Sequence, residues 1–126
     1  MKVSWRDASS SGDLNKVCEL LDAGADIDAL DEHGQTALMN AAHRGDVELT
    51  RLLIQRGAAL NHTAKYRLTA LMLAVISSRT EVVRLLVEAG ADRTIAGSKG
   101  SFARTPLQYA QESGQTEIAE ILRRGA

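Results

Sequence analysis

The chain has 126 residues, enough for one domain with a buried core and too few for two comfortable domains. Hydrophobic residues make up 44% and charged residues 25%, which excludes wholesale disorder, and a formal net charge of -1 argues against binding to nucleic acid or to an anionic membrane. Cys18 is the single cysteine, so no intramolecular disulfide forms and a reducing, cytoplasmic location is expected. No apolar stretch approaches the length of a membrane span, so the chain, if complete, is expected to be soluble and unsecreted.

A period of 33 residues runs through the sequence. Gly24, Gly57 and Gly90 are 33 residues apart, and the final unit follows after 36 because three residues are inserted before Thr105. A fixed period of this size is typical of a solenoid. It predicts a single domain of four stacked units, with approximate bounds 1–30, 31–63, 64–96 and 97–126.

The second unit shows the predicted elements in chain order. Thr36 is a good N-cap for a short alanine-rich helix that ends near Gly45, and a second helix follows from about Val47. Leucines at helical spacing mark its apolar face, and Gly57 closes it before a polar turn. Neither helix can bury that face within one unit, so stacking is required and the fold class is an all-α solenoid.

The two terminal units are expected to act as caps. Trp5 stands where the second unit has Leu38, with almost no chain before it. A large hydrophobic lid over the exposed end of the stack is favoured there over a binding role. Arg123 replaces the aliphatic residues Ile54 and Val87, which indicates a polar cap at the other end.

Several segments resemble the ankyrin repeat across nearly the whole chain. They are GQTALMNAA, RTPLQYA, LLDAGADID, LLIQRGAALN and LLVEAGAD. The resemblance implies β-hairpin-like fingers between units, a concave groove lined by the first helix of each unit, and partners bound at the groove and finger tips. It implies a protein-binding scaffold without naming the partner.

The chain also departs from the family motif T-P-L-H. Met39, Met72 and Gln108 replace the histidine that ties neighbouring loops together, so weaker loop bracing is expected. In the third unit, Arg67 and Ser78 stand where the second unit has glycine. A left-handed backbone at each would cost about 1–2 kcal/mol, which predicts that this unit is the least regular.

Surface positions that vary in the family map onto three units of this chain. They are Glu32, His33, Gln35, His43 and Arg44, then Lys65, Tyr66, Leu68, Ile76 and Ser77, then Ser101, Phe102, Arg104, Glu112 and Ser113. The apolar members of the last two groups, flanked by cations, have the composition of an interface hot spot. The alternative is that they are ordinary, singly exposed residues and that Phe102 folds back on its own loop.

The insertion Gly97 to Arg104 lengthens the last finger, which is expected to project farther and to move more than its neighbours. The insertion predicts either a partner contact or a tolerated surface insertion.

The charged residues are also distributed unevenly along the chain. Residues 1–63 hold 6 basic and 10 acidic side chains, and residues 64–126 hold 9 and 6. Such a dipolar surface would orient a partner of opposite polarity, although solvated helix faces explain it equally simply.

Catalytic and metal-binding patterns are missing from the sequence. The three histidines lack metal-site spacing, and Cys18 lies on an outer helix face without a histidine base. No glycine-rich phosphate loop is present, so neither a cofactor nor an enzymatic role is expected.

The function predicted from the sequence is a cytoplasmic adaptor or inhibitor that grips one protein partner, with most contact from the third and fourth units. The chain is expected to be a monomer. A self-associating structural module and the binding domain of a larger protein are the alternatives.

Overall fold

A computed structural model describes residues 4–124, apart from the side chain of Ser101. Within that range the chain forms four pairs of α-helices and no β-strand, which confirms the all-α prediction. The helices are α1 (Trp5–Ser11), α2 (Leu14–Asp22), α3 (Ala37–Arg44), α4 (Val47–Gln55), α5 (Ala70–Ile76), α6 (Thr80–Glu88), α7 (Pro106–Glu112) and α8 (Thr116–Arg124). None of these helices is long and apolar enough to cross a membrane.

The helix pairs stack into two layers. The first helices, α1, α3, α5 and α7, contact one another in sequence to form an inner layer, and the second helices do the same in an outer layer. Each helix also packs on its partner within the pair. Because the main contacts of every pair are with its neighbours along the chain, the molecule is the predicted solenoid.

Side-chain caps set the start of most helices. The hydroxyls of Thr36 and Thr69 accept the amide N–H three residues on, at 3.2 Å, and Thr105 does so within a capping box. Asp13 and Asp46 cap the second helices of the first two pairs in the same way. The third pair departs from this rule, because its equivalent residue, Arg79, makes no side-chain cap to α6.

The third pair is also the one with strained backbone. Tyr66, Arg67 and Ser78 have φ of 63°, 61° and 57°, and they are the non-glycine residues with positive φ in the described range. The left-handed conformations of Arg67 and Ser78 confirm the prediction, and that of Tyr66 adds a third. The third pair is therefore the least regular.

The core forms one cluster along the stack and consists of leucine, alanine, valine and methionine together with Ile118. Met39 and Met72, in the place of the family's histidine, are fully buried. Neighbouring loops are tied together by other side chains. Asp28 accepts the amide of Ala59 at 2.9 Å, and Asn61, in the next repeat, accepts the amide of Asp92 at 2.8 Å.

Three hairpin-like loops project between the inner helices. They are the first finger (31–35), the second finger (64–68) and the third finger (97–104). A single backbone bond closes each one, from the amide of Asp31, Ala64 or Gly97 to the carbonyl of Gln35, Leu68 or Arg104. The second finger reverses direction in a turn at Lys65–Arg67, where Tyr66 and Arg67 are left-handed, and the third finger contains a short 3-10 helix at Gly100–Phe102. The fingers and the inner layer lie on the side of the molecule that the family resemblance predicts to be concave.

Candidate protein-binding surface

A groove of about 550 Å³ lies between α1, α3 and the first finger. Its lining includes Trp5, Arg6, Ser9, Leu30, Glu32, Gln35, Asn40, His43 and Arg44. Four of the predicted site residues, Glu32, Gln35, His43 and Arg44, therefore share one concavity. His33 lies beside it with an exposed side chain, and its imidazole is 3.9 Å from the Glu32 carboxylate.

The groove combines apolar and charged surface. Leu30 is 56% exposed at its edge, and Trp5 is half-buried, packed on the core as a lid while one side lines the groove. Arg6 and Glu32 form an ion pair beside them. Exposed apolar surface rimmed by polar groups is typical of an interaction site. The groove offers room for an apolar side chain with charged groups at its margin.

Hydrogen bonds fix the wall of this groove. The Asp31 carboxylate accepts the amides of His33 and Gln35, at 2.8 and 3.0 Å, and the side-chain amide of Asn40 at 2.9 Å. Burial raises the pKa of Asp31, but these hydrogen bonds outweigh it and leave the pKa below its ordinary value. The Arg44 guanidinium donates to the Ser9 carbonyl at 2.6 Å and so joins α3 to α1. Arg44 is thus exposed at the surface and also stabilises the packing of α3 on α1.

A second candidate region, the fingertip cluster, consists of Lys65, Tyr66, Arg67, Lys99 and Phe102. The rings of Tyr66 and Phe102 stack with centroids 6.0 Å apart, which joins the second finger to the third. The ammonium groups of Lys65 and Lys99 lie 5.1 and 5.8 Å from the centroid of the Tyr66 ring. Both distances are within the range of cation–π attraction.

The predicted apolar centre is smaller than expected. Leu68 is only 9% exposed and belongs to the core, so its placement on an exposed surface was wrong. The left-handed residues Tyr66 and Arg67 reverse the chain, and Leu68 then enters the stack in an extended conformation just before α5. Ile76 is half-buried against the same core, and the side chain of Ser101 lies outside the described part of the chain.

The third finger is fastened to its surroundings. The Ser98 amide donates to the Tyr66 carbonyl at 2.8 Å, and the Arg104 Nε is 2.8 and 2.9 Å from the Glu112 carboxylate oxygens. A Cβ atom at Gly97 would lie 1.9 Å from the Phe102 carbonyl oxygen, so the base of the finger closes only around glycine. The expected exposed aromatic anchor instead folds back on the neighbouring finger, and Arg104 is already paired.

Two residues at the candidate surfaces, Leu30 and Lys99, are not among the mapped family positions. Leu30 stands where the following repeats have Thr63 and Ala96. A large apolar side chain at that loop position could have indicated a binding surface from the sequence alone. Lys99 falls in the insertion, which has no counterpart in the other units. His43 was mapped correctly to the surface, and its Nδ1 lies 3.1 Å from the hydroxyl of Ser77, another mapped residue.

No cluster of three or more metal-ligating side chains comes together within residues 4–124.

No curated protein matches the chain. The family model described as ankyrin repeats (3 copies) matches residues 6–97, which is more than half of the sequence and spans the first three helix pairs. Together with the stacked helix pairs and their fingers, this match shows that the chain belongs to the ankyrin-repeat family.

Proposed function

We propose that this chain is a non-catalytic adaptor or inhibitor that binds a protein partner through its concave side. Ankyrin repeats are generally protein–protein interaction modules. The observation that carries the proposal is the groove beside the first finger, where Leu30 is 56% exposed next to Trp5. A large apolar side chain left in water at the rim of a concavity gains free energy when a partner covers it.

The groove is held in shape before any partner arrives. The Asp31 hydrogen bonds fix the first finger, and the Arg44 bond to Ser9 fixes the spacing between α1 and α3. A site that is already ordered loses less conformational entropy on binding. We place the apolar contact of the partner at Trp5 and Leu30, with Glu32, Gln35 and His43 supplying polar contacts around it.

The proposal includes the division of the chain into one domain with units at 1–30, 31–63, 64–96 and 97–126, the first and last acting as caps. The packing of Trp5 on the core supports the first cap. The exposed Arg123, which bonds Glu120 on its own helix, supports the last. A cytoplasmic setting fits a chain with one half-buried cysteine, Cys18.

An affinity capture from an extract of the native organism tests the proposal. The bait is compared with two variants that each place a charge on an exposed leucine, Leu30→Asp in the groove and Leu14→Asp at the start of α2 in the outer layer. Leu14 is 36% exposed, so the chemical change is matched. We expect the same protein to be captured by the unchanged bait and by Leu14→Asp, and to be lost with Leu30→Asp.

Capture of that protein by Leu30→Asp at undiminished yield would exclude the groove as the binding surface. Sedimentation velocity at several concentrations is run in parallel. A sedimentation coefficient that rises with concentration in the unchanged chain, but not in Leu30→Asp, would assign the groove to a second copy of this chain instead.

A further inference from the structure

We infer that the fingertip cluster binds an acidic segment of the partner protein, a short run of aspartate and glutamate side chains. The inference rests on the proposed function and extends it by giving the chemistry of one part of the partner. It places that segment on Lys65, Arg67 and Lys99, around the stacked rings of Tyr66 and Phe102.

The first observation is the pairing of cations across the described range. Each other lysine or arginine of residues 4–124 contacts a carboxylate or donates to a backbone carbonyl. Lys65, Arg67 and Lys99 are exposed and have neither kind of partner within that range. The three cationic side chains that have neither a carboxylate nor a backbone carbonyl partner within the described range therefore lie at the tips of two adjacent fingers.

The second observation is that two of these side chains, Lys65 and Lys99, are held close together. Lys65 and Lys99 approach the same Tyr66 ring from two different fingers, at 5.1 and 5.8 Å from its centroid. Like charges so placed repel each other, and a carboxylate between them relieves that repulsion. The ring attracts both ammonium groups and keeps them over the cluster.

The third observation is the backbone beneath the cluster. Tyr66 and Arg67 both have positive φ without being glycine, and the Tyr66 carbonyl is tied to the Ser98 amide of the third finger. Left-handed conformations of non-glycine residues are costly and are concentrated at ligand-binding sites. Here they set the turn at the tip of the second finger, where Lys65 and Arg67 flank Tyr66 in sequence.

An acidic peptide fits these observations better than a nucleic acid does. A nucleic-acid strand gains affinity from many phosphate contacts along a continuous cationic path. Beyond the fingertip cluster, the groove at the first finger is lined by the carboxylates of Asp31 and Glu32 as well as by guanidinium groups, and Glu32 is paired with Arg6, so a continuous cationic path stops at the second finger. One face of the Tyr66 ring is also covered by Phe102, which leaves it a poor platform for stacking a base.

The test uses fluorescence polarisation with three labelled probes of equal length: a deca-glutamate peptide, a deca-glutamine peptide and a single-stranded oligothymidine. We expect the whole chain to bind the glutamate peptide and not the glutamine peptide. Raising the salt from about 50 to about 300 mM should weaken binding, because exposed charges are screened over distances of several ångströms. The double variant Lys65→Glu/Lys99→Glu should weaken it at least about tenfold.

The control is Arg51→Glu/Arg84→Glu, which changes the net charge by the same amount on the outer helices α4 and α6. Its parent side chains are each 42% exposed, and the variant should bind the glutamate peptide within about twofold of the unchanged chain. Circular dichroism melts establish that both variants fold. Should the double variant unfold, the single variants Lys65→Gln and Lys99→Gln replace it, each with an expected loss of about threefold.

Three results would overturn the inference: no binding of the glutamate peptide, equal losses in the fingertip and control variants, or tighter binding of the oligothymidine. The partner captured with the unchanged bait separates this inference from the proposed function. Capture that survives Lys65→Glu/Lys99→Glu but is lost with Leu30→Asp would leave the protein-binding function standing and remove the acidic segment from it.

Discussion

The ring of Phe102 stacks on the ring of Tyr66 at an interplanar angle of 27°, and it does so across two different fingers. The pair joins the most strained loop of the molecule to its longest loop. Stacked aromatic side chains at such separations stabilise a fold beyond the apolar area that they bury. Each finger thus depends on the other for its conformation.

We expect this dependence to appear in a double-mutant cycle on Tyr66→Ala and Phe102→Ala. The two substitutions should couple by about 0.5–1.5 kcal/mol in the free energy of unfolding, measured by urea denaturation. Trp5→Ala combined with Phe102→Ala is the control, and it should be additive within about 0.5 kcal/mol because Trp5 lies in the first helix pair. Additive behaviour of Tyr66 and Phe102 would show that the stacked rings do not stabilise the fingers.

Thr50 presents a buried hydroxyl with no hydrogen-bond partner at a site where the flanking repeats have Val17 and Val83. We expect Thr50→Val to raise the free energy of unfolding by about 1 kcal/mol, because it removes an unsatisfied polar atom without changing the side-chain shape. Urea denaturation measures the change.

The matched control is Thr69→Val, the same chemical change at a threonine that is 1% exposed. Its hydroxyl accepts the Met72 amide and caps α5, so stability should fall by about 1 kcal/mol. A loss of stability in both variants would mean that the Thr50 hydroxyl is satisfied.

Ser78 has φ of 57° and follows α5 at the position where α3 ends in Gly45. Glycine adopts this conformation without the steric cost that serine incurs. Ser78→Gly should therefore raise the free energy of unfolding by about 1 kcal/mol, and the thermal midpoint should rise with it. Ala89→Gly is the control at the C-cap of α6, where φ is -78°. There glycine only increases the entropy of the unfolded chain, and a lower midpoint is expected.

Acid should weaken the first finger. The folded-state pKa of Asp31 lies below its ordinary value of 3.8, so the ionised carboxylate stabilises the fold above that pH and ceases to do so as pH falls through the folded pKa. Urea denaturation between about pH 7 and about pH 3 should show Asp31→Ala losing less stability on acidification than the unchanged chain. An identical pH profile for the two proteins would contradict this assignment.

The repeat, the helices and their caps were predictable because each follows from local chemistry that recurs at a fixed spacing. A threonine caps each of the helices α3, α5 and α7, and it occupies the same position of the repeat each time: Thr36, Thr69 and Thr105. The period of the repeat then predicts which helices stack on one another. The positive φ of Arg67 and Ser78 followed from the glycines at the same positions in the second unit.

The surface was harder to predict because it depends on how loops meet. Leu68 was assigned to the surface because it falls on a position that varies in the family, but after the left-handed turn at Tyr66 and Arg67 its side chain packs in the core. Lys99 lies in the insertion and aligns with no position of the other units, so the family pattern made no prediction for it. The groove at Leu30 arises from the juxtaposition of a loop with α1 and α3, which no single repeat encodes.

The closure of the third finger around Gly97 has an evolutionary consequence. In the long finger, any side chain at position 97 would collide with the Phe102 carbonyl. The three-residue insertion and the glycine are therefore linked as a constraint on the sequence, because the long finger closes as observed only with glycine at position 97.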